Sequence, residues 1–266
     1  ISLKQTWEEV AAAPTFTGLL NETYGSGAAA AYSTRRLNGN VTDCMVIRRA
    51  SDSTTTTIGF DGEDIDEAAI TTFCTGTTCT VYQWVDQSGN GNTATAASGQ
   101  EPTIYTGGAL VKIDGKVAMT LDGSNDAFTT SSNIVGAYSI FTLGNPAAGG
   151  YYADSTSGDR QYIIRNSAVA GSFSEYQNGT ATSNIYDFRK ELVAYISNSA
   201  TTRVINTLLS RFNKVQSYNG DFSEYIIYTS DKSGTDQTSI EENIGDYFTQ
   251  NTPLLDTYTG AAACYS

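Results

Sequence analysis

Residues 79–86 read Cys79-Thr-Val-Tyr-Gln-Trp-Val-Asp86 and indicate a β-strand more clearly than any other segment. β-Branched and aromatic residues alternate with polar ones, which is the pattern of a strand with one buried face. Glu224-Tyr-Ile-Ile-Tyr228 shows a similar pattern near the other end of the chain. Short segments of this kind recur between turn clusters, as in an antiparallel sandwich. The further segments are 28–35, 44–49, 117–121, 138–143, 162–166, 171–176, 192–197 and 202–208. We therefore predict a mainly β fold, an antiparallel β-sandwich.

A few short helices are predicted around the sandwich, at 3–13, 62–73 and 235–248. In the last segment, Ile240 and Ile244 recur at a four-residue step after a polar start, which is typical of an amphipathic helix. We expect the second and third helices to pack as lids on sheet edges. The first lies outside the sandwich.

The pattern predicts three parts: an N-terminal helical extension (1–18), the sandwich (19–250) and a C-terminal tail (251–266). The tail resembles the start of a second copy, because Leu254-Leu-Asp-Thr-Tyr-Thr-Gly-Ala-Ala-Ala-Cys-Tyr-Ser266 is similar to residues 19–33. It is then either a linker into a further domain or a strand that occupies the corresponding site in its own domain or in a neighbouring one. Chance similarity of two Ala-rich segments is the alternative.

The charge of the chain excludes two classes of partner. The 266 residues include 28 acidic and 15 basic side chains, which gives a net charge of -13. Such a surface repels phosphate backbones and anionic lipids. No apolar run is long enough to cross a bilayer. We therefore predict neither nucleic-acid binding nor membrane insertion.

The cysteines suggest an exported protein with disulfides, which places it outside the cell or on a virion surface. The four cysteines permit three pairings. Cys74 and Cys79 enclose a short polar turn, and we predict a disulfide between them rather than two free buried thiols. Cys44 and Cys264 are a hypothetical second pair. The chain has no His, so a zinc site is not expected.

Two groups of residues have the chemistry of a sugar-binding site, in which aromatic faces stand beside amide, carboxylate or guanidinium groups. For the tyrosines the alternative is packing in the core or between strands. The candidate ligand-binding residues are Asp86, Asn90 and Asn92, and Tyr151, Tyr152, Asp154, Arg160 and Tyr162.

Asp122, Asn125 and Asp126 form the one turn whose oxygen atoms suggest a calcium ion. Three oxygen-bearing side chains fall short of the six to eight oxygen ligands that calcium takes. We therefore predict no cofactor, with calcium at this turn as the weaker alternative.

Several motifs together resemble a known family. They are Ala28-Ala-Ala-Ala-Tyr-Ser-Thr-Arg-Arg-Leu37, Val46-Ile-Arg-Arg-Ala-Ser-Asp52, Ile58-Gly-Phe60, Phe73-Cys-Thr-Gly-Thr-Thr-Cys79 and Trp84-Val-Asp-Gln-Ser-Gly-Asn-Gly-Asn92. The series resembles concanavalin A-like, laminin-G-like jelly rolls, which recur in phage and bacterial surface proteins. The same series resembles the opening half of the catalytic jelly roll of α-L-arabinofuranosidase B. Weaker similarity extends the match to about residues 19–250, and the Asp-Gln-Ser-Gly-Asn-Gly-Asn run is its most specific part.

The resemblance implies a glycoside hydrolase only if the catalytic residues are present. The enzymes carry two adjacent cysteines and a Glu/Asp pair in the second half of the domain, and neither can be matched here. Asp221 and Glu224 are weak candidates for the two carboxylates that glycoside hydrolysis needs.

We therefore predict a chain that is not an enzyme. It would be a structural or adhesive module of a virion decoration or fibre, or of an extracellular filament, with the capacity to bind glycans. Its partners would be further copies of itself, neighbouring structural subunits or surface glycans. The alternative is a glycoside hydrolase of the α-L-arabinofuranosidase B type that acts on arabinose-containing polysaccharide.

Overall fold

The computed structural model describes residues 16–136, 139–148, 151–154, 163–164, 173–177, 180–182, 191–197, 204–211, 213–214 and 216–249. Strands predominate. They are β1 (Ala28–Ser33), β2 (Asp43–Arg49), β3 (Thr55–Asp61), β4 (Asp64–Ile65), β5 (Cys79–Trp84), β6 (Ala94–Thr95), β7 (Thr103–Thr106), β8 (Ala109–Leu110), β9 (Lys112–Ile113), β10 (Lys116–Val117), β11 (Met119–Asp122), β12 (Phe128–Val135), β13 (Ser139–Ala148), β14 (Tyr151–Asp154), β15 (Ile163–Ile164), β16 (Phe173–Gln177), β17 (Thr180–Thr182), β18 (Glu191–Ser197), β19 (Val204–Leu208) and β20 (Asn219–Tyr228). The helices are the 3-10 turn η1 (Leu19–Asn21), α1 (Glu67–Phe73) and α2 (Thr235–Thr249).

The strands form two antiparallel layers. In the front layer β20 pairs with β13 on one side and with both β1 and β11 on the other, and β18 and β16 continue from β13. In the back layer the order runs β3, β2, β5, β6, β12, β19, β14. This arrangement confirms the predicted antiparallel β-sandwich.

Trp84 lies at the centre of the core between the two layers. Its ring is 5.6 Å from that of Tyr32 and 5.8 Å from that of Phe128, and it meets Phe222 edge-on at 6.4 Å. These four side chains are wholly buried. In β5 the buried residues are Cys79, Val81 and Trp84, so the predicted alternation holds from Cys79 to Val81 and shifts by one residue before Trp84.

A second apolar cluster lies on the outer face of the front layer. Ile240, Ile244 and Phe248 of α2 pack there against apolar side chains of β13, β18 and β20. The amphipathic pattern predicts the helix correctly, but the position at a sheet edge is wrong. The outward side chains Phe141 and Ile226 are apolar, so the helix covers the face, where it removes them from water.

The strand β7 joins the two layers along one side. Thr103 pairs with Thr80 of β5 in the back layer and with Thr120 of β11 in the front layer. The sandwich is thus continuous at this margin.

The predicted helix at 3–13 and the tail at 251–266, with its similarity to residues 19–33, lie outside the described residues. Both stay predictions. Within the described residues, no helix is long and apolar enough to cross a membrane.

Candidate active site

Asp86 fastens the turn after β5 to strand β1. Its Oδ1 accepts hydrogen bonds from the backbone N–H groups of Ala31 (2.9 Å) and Ser88 (2.9 Å). Its Oδ2 accepts from the Ser88 hydroxyl (2.8 Å) and from the Asn92 N–H (2.8 Å). Because both carboxylate oxygens are engaged and the residue is buried, Asp86 holds the backbone rather than a ligand.

The two asparagines of the same turn have a similar role. The Asn90 side-chain amide donates to the Ala28 carbonyl oxygen at 2.9 Å, and that of Asn92 donates to the Ala29 carbonyl oxygen at 3.0 Å. The polar side-chain atoms of Asp86, Asn90 and Asn92 thus bond to the backbone of the turn and of β1, and their assignment as ligand-binding residues stays a prediction. The Asp-Gln-Ser-Gly-Asn-Gly-Asn run is a structural clasp on β1.

The turn that suggested calcium is held by its own hydrogen bonds. Asp122 Oδ1 accepts from the N–H groups of Ser124 (2.8 Å) and Asn125 (3.3 Å), and Asp126 Oδ2 accepts from the Asp122 N–H (3.0 Å). In the described part of the chain, no group of three or more acidic or cysteine side chains is arranged to hold a metal ion.

Asp126, in the same turn, has a perturbed pKa. Burial raises its pKa to about 6, and the negative charges of Asp122 and Glu101 add to the rise, against a lowering by the Asp122 N–H bond. A carboxyl group in such surroundings keeps its proton more readily than an exposed one does.

Glu224, one of the two weak catalytic candidates, is engaged in a buried ion pair. Its Oε2 accepts from Arg35 Nε at 2.8 Å and from the Ser33 hydroxyl at 2.6 Å, and its Oε1 accepts from Arg35 Nη2 at 3.1 Å. The side chain is 0% exposed. The carboxylate is therefore neutralised and closed off from solvent, which favours a structural role, and its catalytic assignment stays an untested prediction.

Arg35 also contacts helix α2 and so connects the ion pair to it. Its guanidinium group lies over the rings of Tyr247 (5.1 Å) and Phe248 (6.0 Å) and reaches Glu63 at 3.5 Å. Burial acts to lower the pKa of Arg35, but the charge and hydrogen bonds of Glu224 raise it overall. The guanidinium therefore remains charged inside the protein.

Asp221, the other weak candidate, stands in a different environment on the same strand. It is half-buried, and its Oδ1 accepts from the Thr120 hydroxyl at 2.6 Å. Across the sheet it pairs with Asn145. The two strands come close together here: a Cβ added to the next residue, Gly220, would lie only 2.4 Å from the Asn145 carbonyl oxygen. Of the two candidates, Asp221 is the one that is partly exposed to solvent.

The other predicted ligand-binding group is described only in part. Asp154 ends β14 and is wholly buried beside Thr207 of β19. Tyr151 and Tyr152 belong to β14, but their side chains lie outside the described part of the structure, as do Arg160 and Tyr162. The interpretation of these residues as ligand-binding stays a prediction.

Cys74 and Cys79 are joined by a disulfide, with their Cα atoms 5.9 Å apart. It links the end of α1 to the start of β5. The Cys44 thiol is buried and donates to the Ser33 carbonyl oxygen at 3.2 Å. Cys264 lies outside the described residues, so the second pairing stays a prediction.

The sequence interpretation missed a polar group on the outer face of the back layer. Arg48 forms an ion pair with Glu101, which also accepts a hydrogen bond from Thr80. The Arg48 guanidinium lies 4.2 Å from the centre of the Tyr82 ring. The alternation in β2 and β5 places Arg48 and Thr80 on the outer face, but no sequence pattern connects Glu101 to them.

The two antiparallel layers place the chain among the β-sandwich and jelly-roll proteins, a class that includes carbohydrate-binding domains. Comparison with protein-family models assigns the chain to one family within this class. The model described as "Alpha-L-arabinofuranosidase B, catalytic" matches residues 21–187. The chain belongs to this family.

Solved structures of similar fold include three arabinofuranosidase structures. One is complexed with arabinofuranosyl-α-1,2-xylobiose (TM-score 0.55, 19% identity), and another is a GH54 α-L-arabinofuranosidase soaked with a cyclic sulfate inhibitor (TM-score 0.56, 20% identity). Each match covers 82% of this chain and 62% of the other. The chain thus spans less than two thirds of the length of these proteins. No curated protein matches its sequence significantly.

The family match overturns the main functional prediction. A non-enzymatic structural module of a virion surface or filament, built for self-assembly, is contradicted because the matching family is one of catalytic domains. The prediction that the chain is not an enzyme is wrong for the same reason. The predicted relationship to α-L-arabinofuranosidase B is confirmed.

Proposed function

We propose that this chain is a glycoside hydrolase module that releases terminal α-L-arabinofuranosyl groups from arabinose-bearing polysaccharide. The observation that carries the proposal is the family match over residues 21–187. The similar solved structures support it through their shared fold, and their names refer to arabinofuranosides.

Glycoside hydrolysis uses two carboxyl groups on opposite sides of the scissile bond, one as acid and one as base or nucleophile. We propose Asp221 as one of them. It is half-buried, and among the described residues the Thr120 hydroxyl is the one hydrogen-bond partner of its carboxylate. A single 2.6 Å bond orients the carboxylate and leaves its second oxygen available to a substrate.

The location of the protein follows from the same proposal. A polysaccharide substrate lies outside the cell, and the Cys74–Cys79 disulfide suits an oxidising compartment. We therefore propose an extracellular enzyme. The concanavalin A-like, laminin-G-like character of the jelly roll likewise stays a proposal beside the family match.

Hydrolysis of 4-nitrophenyl α-L-arabinofuranoside tests the function directly. We expect turnover by the wild-type protein and a fall in kcat of about 1,000-fold in Asp221→Asn, in line with the loss of a catalytic group. Asp61→Asn is the matched control, because Asp61 is an exposed carboxylate at the end of β3. Its kcat should equal that of the wild type.

A second variant separates catalysis from positioning. In Asp221→Gly, added azide can occupy the space of the missing carboxylate and act as an external nucleophile. Partial recovery of turnover by azide supports a catalytic Asp221. Absence of turnover by the wild-type protein on any arabinofuranoside rejects the proposed function.

A further inference from the structure

The outer faces of the two layers differ in what covers them. In the front layer, α2 and Leu19 cover apolar side chains. In the back layer, no described helix packs on the outward side chains of β2, β5, β6 and β12, which are half-buried. We name this surface the open face and define it by Arg48, Tyr82, Gln83, Thr95 and Thr129.

The register aligns part of the open face into a row. Gln83 pairs with Val46 on one side and with Thr95 on the other, and Thr95 pairs with Thr129. Directly paired residues point to the same side of a sheet, and neighbouring strands lie about 4.8 Å apart. The row from Val46 to Thr129 therefore extends over roughly 14 Å.

A β-bulge adds an aromatic ring to the open face. Ile47 pairs with Val81 and Val46 pairs with Gln83, so Tyr82 is the extra residue of the bulge. Bulges are common next to functional sites, where they redirect side chains. Here the bulge leaves Tyr82 and Gln83, two consecutive residues, both partly exposed.

The chemistry of the open face is neutral and polar around an apolar centre. The charge of Arg48 is balanced by Glu101, and its guanidinium stacks on Tyr82. The Gln83 amide donates to the Thr95 hydroxyl at 3.2 Å, which fixes both side chains. Tyr82 and Val46 supply apolar surface beside these groups. Sugar rings have apolar faces and hydroxyl edges, which match such a surface.

We propose that the open face binds the neutral main chain of the polysaccharide whose arabinofuranosyl branches the enzyme removes. The identity of the occupant rests on the proposed function. The charge excludes an anionic chain, because the net charge is -13 and the one arginine of the face is already paired. Since threonine side chains are stiff and Gln83 is held by Thr95, little side-chain entropy is lost when a sugar binds.

Affinity electrophoresis in gels that contain arabinoxylan tests the proposal, with linear xylo-oligosaccharides as soluble competitors. Thr95→Val/Thr129→Val removes two hydroxyl groups with little change of shape. We expect its Kd for arabinoxylan to rise about tenfold, equivalent to about 1.4 kcal/mol. Tyr82→Ala should weaken binding at least as much, because it removes the aromatic surface.

Thr71→Val/Thr72→Val is the matched control, since these two threonines are exposed on α1, away from the open face. It should bind as the wild type does. An unchanged Kd in the Thr95/Thr129 variant, or an equal loss in the control, overturns the proposal.

Binding and hydrolysis are measured separately, so the test of the open face can fail or succeed independently of the proposed function. Kd for arabinoxylan is measured without turnover, so it decides the role of the open face even if no arabinofuranoside is hydrolysed. If the protein is active, the Thr95/Thr129 variant should show a raised KM on arabinoxylan. Its kcat/KM on 4-nitrophenyl α-L-arabinofuranoside should be unchanged.

Discussion

Arg35 and Glu224 are 189 positions apart in the sequence and form a two-bond ion pair inside the front layer. Both side chains are almost completely removed from solvent, at 2% and 0% exposure. Breaking a buried pair leaves one charge without a partner, which costs far more than losing a surface pair. The pair therefore links β20 to the segment after β1 and, through Arg35, to α2.

Glu224→Gln should lower the free energy of unfolding by about 3–5 kcal/mol, because the Arg35 charge then stays buried without its partner. Urea denaturation measures this change. Activity per folded molecule should be unchanged, since Glu224 supports the fold.

The exposed pair of Arg49 and Asp52 supplies the control. Asp52→Asn should change stability little, because solvent screens a surface pair. A folded Glu224→Gln protein that has lost arabinofuranosidase activity would contradict the structural role of Glu224.

Glu241 of α2 should make stability depend on pH. Burial raises its pKa to about 7, against a lowering by the hydrogen bond from Gln237, and its Oε1 has no hydrogen-bond partner among the described residues. The folded protein therefore favours the protonated form. This gain is fully present below the ordinary pKa of a glutamate and is lost as pH rises towards 7.

Glu241→Gln removes this titration. Relative to the wild type, the free energy of unfolding of the variant should rise by about 1–3 kcal/mol between pH 4 and pH 8. The exposed neighbour Glu242 is the control, and Glu242→Gln should show no such trend. Equal pH profiles for Glu241→Gln and the wild type would refute the assignment.

Asp86→Asn tests the clasp on β1. An amide in place of the carboxylate removes the charge and puts an NH2 group at one of the two oxygens, each of which now accepts two hydrogen bonds. We expect a loss of about 2–4 kcal/mol in stability, because bonds to a charged acceptor are the strong ones. Chemical denaturation measures it, with the exposed Asp43→Asn as the control. Wild-type stability in Asp86→Asn would show that the clasp contributes nothing.

The disulfide of Cys74 and Cys79 closes a short loop. By the chain-entropy relation, its removal should cost about 2 kcal/mol, less than for a long loop. The double variant Cys74→Ser/Cys79→Ser should unfold at a lower urea concentration than the oxidised wild type, and reductant should not change its midpoint. If reductant leaves the wild-type midpoint unchanged as well, the disulfide does not stabilise the fold.

The sequence predicts the sandwich because local alternation reports the buried face of each strand. Cys79 and Val81 follow this alternation, whereas Trp84 faces the core because of the bulge at Tyr82. The contact between Arg35 and Glu224 cannot be inferred in this way, because it depends on which distant strands become neighbours. Neither can the bulge at Tyr82, because which residue is left unpaired depends on how β5 aligns with β2.

The candidate sites were harder to predict than the fold. Asp86, Asn90 and Asn92 have the residue types of a sugar site, yet their polar atoms serve their own backbone. Residue type alone does not distinguish these roles, because a turn and a ligand use the same donors and acceptors. Asp221 and Glu224 are three positions apart on one strand. Only their contacts in the folded protein distinguish them: the Asp221 carboxylate bonds to Thr120 and stays partly exposed, whereas Glu224 is neutralised by Arg35.

The strand β7 also constrains how the protein moves. Since it is hydrogen-bonded to both layers, through Thr80 and Thr120, it resists sliding and separation of the layers along that margin. Opening motions of the two layers should therefore have their hinge at β7. Amide hydrogen exchange should accordingly be slowest around β7. Its rate should increase towards β14 and β16, at the opposite margin, where the two layers separate most.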